Sequence, residues 1–203
     1  VEEVQITILP DSVEIVEIIP VSVEDSLVIQ EPAEMMDSAL AIVKDVRPSG
    51  VFLDKRDNSN YEWVRIGEQI WMTRNLKFKT TFSIDPVTDE SKGDAYGYLY
   101  DFPDAIQVCP DGWRLPSDKD WMILESELGV DNVELRSIGH RTTAYAGISL
   151  KSKNGWVGDG NGMDNFGLNI LPAGMATKKG DKRHLNQSSH LWSSSKSMFG
   201  IWI

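Results

Sequence analysis

The sequence predicts a mixed domain of short strands and helices that begins near residue 50 and follows an acidic extended segment over residues 1–46. Three observations lead to this prediction. Apolar residues form three short runs between residues 51 and 72, which is typical of an antiparallel meander. A capped amphipathic helix is indicated after residue 117. Charge, glycine content and aromatic content all change together near residues 45–50.

The first segment differs from the rest of the chain in charge. Residues 1–43 hold ten acidic residues and no Lys or Arg, whereas the remaining 160 residues hold twenty-one acidic and twenty basic residues. Every glycine and every aromatic residue lies at or beyond Gly50. Such a segment cannot close a core alone, and repulsion between its carboxylates favours an extended chain. We interpret residues 1–46 as an acidic stalk or linker, with edge strands on a neighbouring domain as the alternative.

Composition also narrows the classes of function. The net charge of −11 and the lack of a prominent basic patch argue against a nucleic-acid partner. No apolar run reaches the length of a membrane span. The single cysteine, Cys109, cannot form a disulfide within this chain.

The meander is predicted from three runs and two turns. Val51–Asp57 is expected to form the first strand, Tyr61–Val64 to open the second, and Ile70–Met72 to form the third. Polar residues at Asp57–Asn60 and a glycine within Ile66–Gln69 supply the two turns.

Residues 109–121 carry the clearest local signals. Pro110–Gly112 predicts a turn, and Trp113–Leu115 predicts a short strand that Pro116 ends. Ser117 is expected to cap a helix, with Asp120 completing the capping box. The helix is indicated by residues at helical spacing and by a glycine where a left-handed C-cap belongs; these are Trp121, Leu124, Leu128 and Gly129. We expect Trp113 and Trp121 to be buried and Arg114 to be held by a carboxylate or carbonyls.

Weaker patterns cover the remainder of the domain. Asp101–Val108 predicts a short helix, with a proline tolerated in its first turn. Gly147–Trp156 and Phe166–Ala173 show strand character. Residues 79–95 and 175–190 are polar and are predicted to be loops.

The loop at residues 159–165 is the best candidate for a metal site. Oxygen-bearing side chains recur there beside glycines that permit tight curvature, a combination that suits Ca²⁺. The predicted ligands are Asp159, Asn161, Asp164 and Asn165. The spacing lacks the glutamate that an EF-hand has at its twelfth position, and Asp and Asn also form turns without a metal. A purely structural turn is therefore the competing interpretation.

The sequence offers little for catalysis. A cysteine nucleophile needs a base and a lowered pKa, and no histidine lies within twenty residues of Cys109. His140, His184 and His190 show no spacing typical of metal ligands, so we interpret them as solvated loop residues. Cys109 is interpreted as a structural residue.

Five groups of residues, taken in order, resemble a known family. They lie within Tyr61–Leu76, Tyr96–Tyr100, Cys109–Trp121, Leu150–Gly174 and Trp192–Ser195. Together they look like the ordered motifs of the Fibrobacter succinogenes major paralogous domain, which is common in surface and secreted bacterial proteins. The resemblance covers about residues 51–203 and leaves residues 1–46 outside it.

The resemblance implies an α+β, C-type-lectin-like domain with a small twisted antiparallel sheet, two helices and long ordered loops. It also implies a distant relationship to the formylglycine-generating enzyme group, which has a similar Arg-Leu-Pro element ahead of a tryptophan. Family members run further and close with a cysteine-bearing strand. The domain at residues 50–203 is therefore expected to be truncated at its C-terminus, after Ile201–Ile203, and to lack a partner for Cys109.

The function implied is that of a non-enzymatic recognition or adhesion module outside the cell or on its surface, in a secreted protein or lipoprotein. The expected partner is a surface glycan or a protein ligand, and the chain is expected to be a monomer. Tryptophans could stack on sugars, but the sequence does not identify a sugar site. The alternative is an enzyme of the formylglycine-generating-like group. Cofactor chemistry of that group needs paired cysteines or clustered histidines, so no cofactor is expected apart from Ca²⁺.

Overall fold

The computed structural model describes residues 47–87, 95–137 and 145–196. The strands in these ranges are β1 (Ser49–Asp54), β2 (Ser59–Ile66), β3 (Gln69–Met72), β4 (Met175–Ala176) and β5 (Lys182–Arg183). The helices that lie wholly within them are α1 (Phe102–Ala105), α2 (Asp118–Glu127), α3 (Asn132–Leu135) and α4 (Ala146–Leu150). Three predictions concern residues outside these ranges: the acidic stalk at residues 1–46, His140, and the apolar end at Ile201–Ile203.

The predicted meander is confirmed. Strands β1, β2 and β3 form one antiparallel sheet in chain order, with Phe52 opposite Tyr61 and Val64 opposite Trp71. Gly67 occupies the turn between β2 and β3 at a φ of 57°, a left-handed conformation that glycine adopts without strain.

The sheet carries apolar side chains on both faces because successive residues of a strand point in opposite directions. Val64 and Trp71 join one cluster of buried residues with Leu124 of α2. Tyr61 belongs to a second cluster that includes Tyr100. A third cluster includes a residue of β4; its buried members are Val87, Tyr96, Leu99, Ala173 and Ala176.

Helix α2 has the predicted cap. The hydroxyl of Ser117 accepts a hydrogen bond from the backbone N–H of Asp120, whose carboxylate accepts one from the backbone N–H of Ser117. Gly129 follows the helix at a φ of 91°, as expected for a left-handed C-terminal residue. Local signals of this kind depend on few other residues, so they can be read from sequence.

The Trp192–Ser195 motif docks onto the start of α2. The Oγ atom of Ser195 accepts a hydrogen bond of 3.0 Å from the backbone N–H of Asp118. Nearby, the Trp192 indole N–H donates to the carbonyl of Tyr100 at 3.0 Å. The motif thus satisfies a helix N-terminus and joins it to the second core cluster.

Three predicted strands are wrong. Within Trp113–Leu115 only Arg114 forms a bridge, because the Gly112 turn and Pro116 leave too few residues between them to extend a ladder. The first part of Gly147–Trp156 forms α4 instead of a strand. Within Phe166–Ala173 only Ile170 forms a β-bridge, parallel to Lys151.

The number of helices also differs from the two that the family resemblance implies. The four helices named above lie wholly within the described residues, and only α2 exceeds five residues. Residues 175–190, predicted to be a loop, contain the β4–β5 hairpin. Small antiparallel sheets with a few helices nevertheless make the domain α+β, as predicted.

Candidate functional site

The end of α4 is covered by the loop predicted to bind calcium. Four consecutive backbone N–H groups, those of residues 162–165, donate to carbonyl oxygens of residues 148–152 at distances of 2.8–3.1 Å. These bonds satisfy carbonyls that a helix end otherwise leaves unpaired. Because the N–H groups of residues 162–165 occupy these carbonyls, the carbonyls are not available for pairing with a neighbouring strand.

The close approach of the loop requires a glycine at position 162. A Cβ atom on Gly162 would lie 2.2 Å from the carbonyl oxygen of Lys151 and 2.7 Å from that of Ile148. Neither backbone atom can move without disturbing α4. The loop is therefore fixed to the helix through its own backbone.

Trp156 makes three contacts, two of them through its indole. Its indole N–H donates to the Ser152 hydroxyl at 3.0 Å, and its backbone N–H donates to the Oδ1 atom of Asn161 at 3.1 Å. The ammonium group of Lys151 lies 4.0 Å from the centre of its ring, in a cation–π contact. The side chain is only half-buried. A fixed and partly exposed indole is a suitable platform for a ligand.

Asn186 joins this region to the rest of the domain. Its backbone N–H donates to the Pro172 carbonyl at 2.9 Å, and its own carbonyl accepts from the N–H of Val157 at 2.7 Å. Its Oδ1 atom accepts a hydrogen bond of 3.3 Å from the Tyr96 hydroxyl. The residue has a φ of 63°, a conformation that asparagine tolerates better than most residues.

We call the surface formed by Tyr96, Trp156, Asn161 and Asn186 the loop face. Tyr96 lies behind it and is buried, whereas both asparagines are exposed. Each asparagine uses its Oδ1 atom within the protein, and among the described residues neither side-chain N–H₂ group has a hydrogen-bond partner. The loop face therefore presents an indole and two amide donors in fixed positions.

The four predicted calcium ligands lie on or beside the same loop, but part of their capacity is used internally. The Oδ1 atom of Asp164 accepts a hydrogen bond of 2.7 Å from the Asn169 N–H, and the Oδ1 atom of Asn161 accepts from Trp156. The Asn165 amide donates to the sulfur of Met163 at 3.9 Å, and Asp159 is exposed.

Burial raises the pKa of Asp164, although the Asn169 hydrogen bond opposes this effect. Within the described ranges no group of three or more His, Cys, Asp and Glu side chains could hold a metal ion. The predicted calcium site contains only two residues of these four types, because its other two ligands are asparagines. Calcium binding at Asp159, Asn161, Asp164 and Asn165 therefore stays a prediction.

The residues considered for catalysis lie in separate places. The Cys109 thiol donates to the Ala105 carbonyl at 3.9 Å. His190 is half-buried rather than fully solvated, with its Nε2 atom 3.0 Å from the Ser188 hydroxyl. Burial and the proximity of His184 lower the pKa of His190. A serine–histidine pair used for nucleophilic catalysis also needs a group that orients the imidazole, and no described carboxylate contacts His190.

Arg114 was predicted to be held by a carboxylate or carbonyls, and a carboxylate holds it. The guanidinium donates to both carboxylate oxygens of Asp120, at 2.5 and 2.9 Å. Burial alone would raise the pKa of Asp120, but hydrogen bonds from Arg114 and Ser117 outweigh it and lower this pKa to about 2. The amide of Gln69 reaches the same carboxylate at 3.4 Å and accepts a bond from the Trp71 indole at 3.3 Å. The network ties α2 to the sheet.

The two tryptophans of the central motif are placed differently. Trp113 is buried, as predicted. Trp121 is only partly buried and packs against Trp71, with ring centres 4.9 Å apart.

Sequence reasoning did not find the loop face. Trp156 was recognised only as part of a family motif, and Asn186 lies in a stretch interpreted as a polar loop. An asparagine in such a stretch is a signal for a left-handed turn. Its contact with Tyr96 could not be foreseen, because the two residues are 90 positions apart.

No helix in the described part of the chain is long and apolar enough to cross a membrane. Comparisons with curated proteins and with solved structures find no match. The model of one protein family, the Fibrobacter succinogenes major domain, matches residues 64–199. This range contains α1 to α4, β3 to β5 and the whole loop face. The chain therefore belongs to the Fibrobacter succinogenes major domain family.

Proposed function

We propose that this chain is a non-enzymatic recognition module that acts outside the cell or on its surface, as part of a secreted protein or lipoprotein, and that its loop face binds a glycan. The observation that carries the proposal is the state of Trp156. Its indole contacts Lys151 and Ser152, its backbone N–H donates to Asn161, and the side chain stays partly exposed.

The chemistry of the loop face suits a sugar. The C–H groups of a pyranose ring can pack on an aromatic face, and its hydroxyls can accept hydrogen bonds from side-chain amides. Asn161 and Asn186 flank residues 156–157 and offer such amide donors. Because the backbone around them is already ordered, little conformational entropy is lost when a ligand binds.

We also propose that the domain has a C-type-lectin-like fold with a distant relationship to the formylglycine-generating enzyme group. The support is the combination of a small antiparallel sheet, short helices and long loops held by backbone hydrogen bonds. The Arg114–Asp120 pair supports the relationship further, because it gives the Arg-Leu-Pro element a structural role.

The non-enzymatic part of the proposal rests on how the reactive groups are placed. Cys109 donates to a backbone carbonyl, and the Ser188–His190 pair is a contact between residues two positions apart. The loop face itself offers an indole and two amides, which bind rather than react at neutral pH.

A glycan array probed with the labelled chain tests the proposal. We expect the parent to bind a defined set of glycans and Trp156→Ala to lose them while keeping its melting temperature within a few degrees. Phe82→Ala is the matched control, because Phe82 is an exposed aromatic residue outside the loop face. Equal binding by Trp156→Ala, or no binding by the parent, would overturn the proposal.

A further inference from the structure

The β4–β5 hairpin, residues 175–183, carries an unusual concentration of positive charge. Residues 178–183 include four basic residues and one acidic residue. All five of these side chains are exposed, namely those of Lys178, Lys179, Asp181, Lys182 and Arg183. The 160 residues after position 43 are near neutral as a whole, with the hairpin included, so the hairpin is a local positive feature of the domain.

Among the described residues, the one carboxylate in the hairpin forms no ion pair with its basic neighbours. Asp181 shapes the turn together with Thr177: the Thr177 N–H donates to the Asp181 carbonyl at 3.0 Å, and the Asp181 N–H donates to the Thr177 hydroxyl at 3.2 Å. The Thr177 hydroxyl also lies 3.4 Å from the Asp181 carboxylate. Within the described part of the chain, Lys178, Lys179 and Arg183 form no ion pair.

The hairpin is firmly attached to the domain. Ala176 in β4 is fully buried in the third core cluster. Lys182 is tethered, since its ammonium donates to the Val87 carbonyl at 3.4 Å. Gly174 has a φ of 71°, and a Cβ on it would lie 2.3 Å from the carbonyl of Arg183. The three unpaired cations are therefore displayed on an ordered support.

The hairpin adjoins the loop face. Asn186 follows Arg183 by three residues, and its carbonyl accepts the Val157 N–H at 2.7 Å. Gly174, which directly precedes β4, donates its N–H to the carbonyl of Ser188 at 2.8 Å. Backbone hydrogen bonds therefore join the hairpin and the segment after it to the segment that carries Trp156.

We propose that Lys178, Lys179 and Arg183 bind the anionic groups of an acidic polysaccharide, so that the ligand of the loop face is a charged glycan. This inference rests on the proposed function of the loop face. At physiological ionic strength the screening length is about 8 Å, so the local charge of the hairpin governs the contact rather than the net charge of the whole chain.

Charge density favours a polysaccharide over nucleic acid. Electrostatic affinity for a duplex grows with the number of phosphates that a protein neutralises, and three free cations can neutralise only about three. A polyuronate carries its carboxylates on sugar rings that can also contact the loop face.

Affinity electrophoresis tests the inference. The full chain is run in native gels that contain polygalacturonate as the ligand. The hairpin variant carries Lys178→Gln, Lys179→Gln and Arg183→Gln. The control variant carries Lys55→Gln, Lys119→Gln and Arg136→Gln, three exposed cations elsewhere on the domain. We expect polygalacturonate affinity to fall by about ten-fold or more in the hairpin variant, the equivalent of three weak surface ion pairs. The control variant should stay within about two-fold of the parent.

A second comparison separates this inference from the proposed function. If Trp156→Ala loses binding and the hairpin variant keeps it, the inference is overturned and the loop face stands. If the hairpin variant loses binding and Trp156→Ala keeps it, the cation site stands and the glycan role of the loop face is overturned. Failure of the parent to bind polygalacturonate overturns the inference, while the array decides the proposed function. Equal displacement by DNA would overturn the choice of a polysaccharide.

Discussion

The hydroxyl of Tyr96 donates a hydrogen bond of 3.3 Å to the side chain of Asn186, from a residue 90 positions earlier in the chain. The contact joins the aromatic Tyr96–Tyr100 motif to the loop that follows the basic hairpin. Asn186 is exposed, and its N–H₂ group has no hydrogen-bond partner among the described residues. The position of this amide is thus set by a buried residue.

Tyr96→Phe tests that relationship. The ring can keep its packing against the third core cluster, so the free energy of unfolding should fall by only about 0.5–1.5 kcal/mol, the usual net value of a hydrogen bond. Glycan affinity should fall more clearly, because the Asn186 amide loses its fixed orientation. Thermal melts and binding titrations measure the two effects. Tyr145→Phe, at an exposed tyrosine, is the control and should change neither.

A pair of glycines tests how the calcium-candidate loop is held on α4. Gly162→Ala places a methyl group against the Lys151 backbone and should destabilise the domain by about 1–3 kcal/mol, as overpacking does. Gly147→Ala is the matched change inside α4, where a Cβ would meet nothing within 4 Å. It should stabilise the domain by up to about 1 kcal/mol, because alanine favours a helix. Chemical denaturation gives both values, and a harmless Gly162→Ala would contradict the close contact.

The Arg114–Asp120 pair predicts an acid-dependent loss of stability. The folded pKa of Asp120 is lowered to about 2, whereas an unfolded aspartate titrates near 4. Its stabilising contribution is therefore present above about pH 4 and disappears as the pH falls toward 2. Since the Arg114 side chain is 52% exposed, solvent screening reduces the contribution to about 1–2 kcal/mol.

Denaturation curves between pH 2 and 7 measure this effect by comparing the parent with Asp120→Asn. The variant should be less stable at pH 7, and the two proteins should converge near pH 2. Asp85→Asn, at a carboxylate outside the network, is the control and should lose stability between pH 4 and pH 2 as the parent does. A constant gap between parent and Asp120→Asn across the range would contradict the prediction.

The calcium prediction is tested by calorimetric titration of the parent, Asp159→Ala, Asp164→Ala and Asp164→Asn with millimolar Ca²⁺. Binding heat in the parent that each substitution abolishes would confirm the site. Asp164→Asn keeps an oxygen that can accept the hydrogen bond from the Asn169 N–H. It removes a carboxyl group whose pKa is raised by burial. Without calcium this variant should therefore be slightly more stable than the parent at neutral pH, where the carboxylate is ionised. No heat in the parent would leave the loop as a structural turn.

The elements that sequence predicts well are those set by neighbouring residues. The meander and the Ser117–Asp120 capping box depend on alternation and on a hydrogen bond between residues three positions apart. Gly147–Trp156 was misjudged because α4 is completed by N–H groups from residues 162–165, which a local pattern does not contain. The loop face was missed for the same reason, since Tyr96 and Asn186 meet only in the folded chain.

Glycan binding by the loop face can be followed through side-chain N–H signals in a ¹H–¹⁵N correlation spectrum. The chain is titrated with the best-binding glycan from the array. We expect the largest shifts on the Trp156 indole and on the side-chain amides of Asn161 and Asn186. The indoles of the buried residues Trp71 and Trp113 should hardly move. Shifts confined to residues outside the loop face, or an unchanged Trp156 signal at saturation, would contradict glycan binding at the loop face.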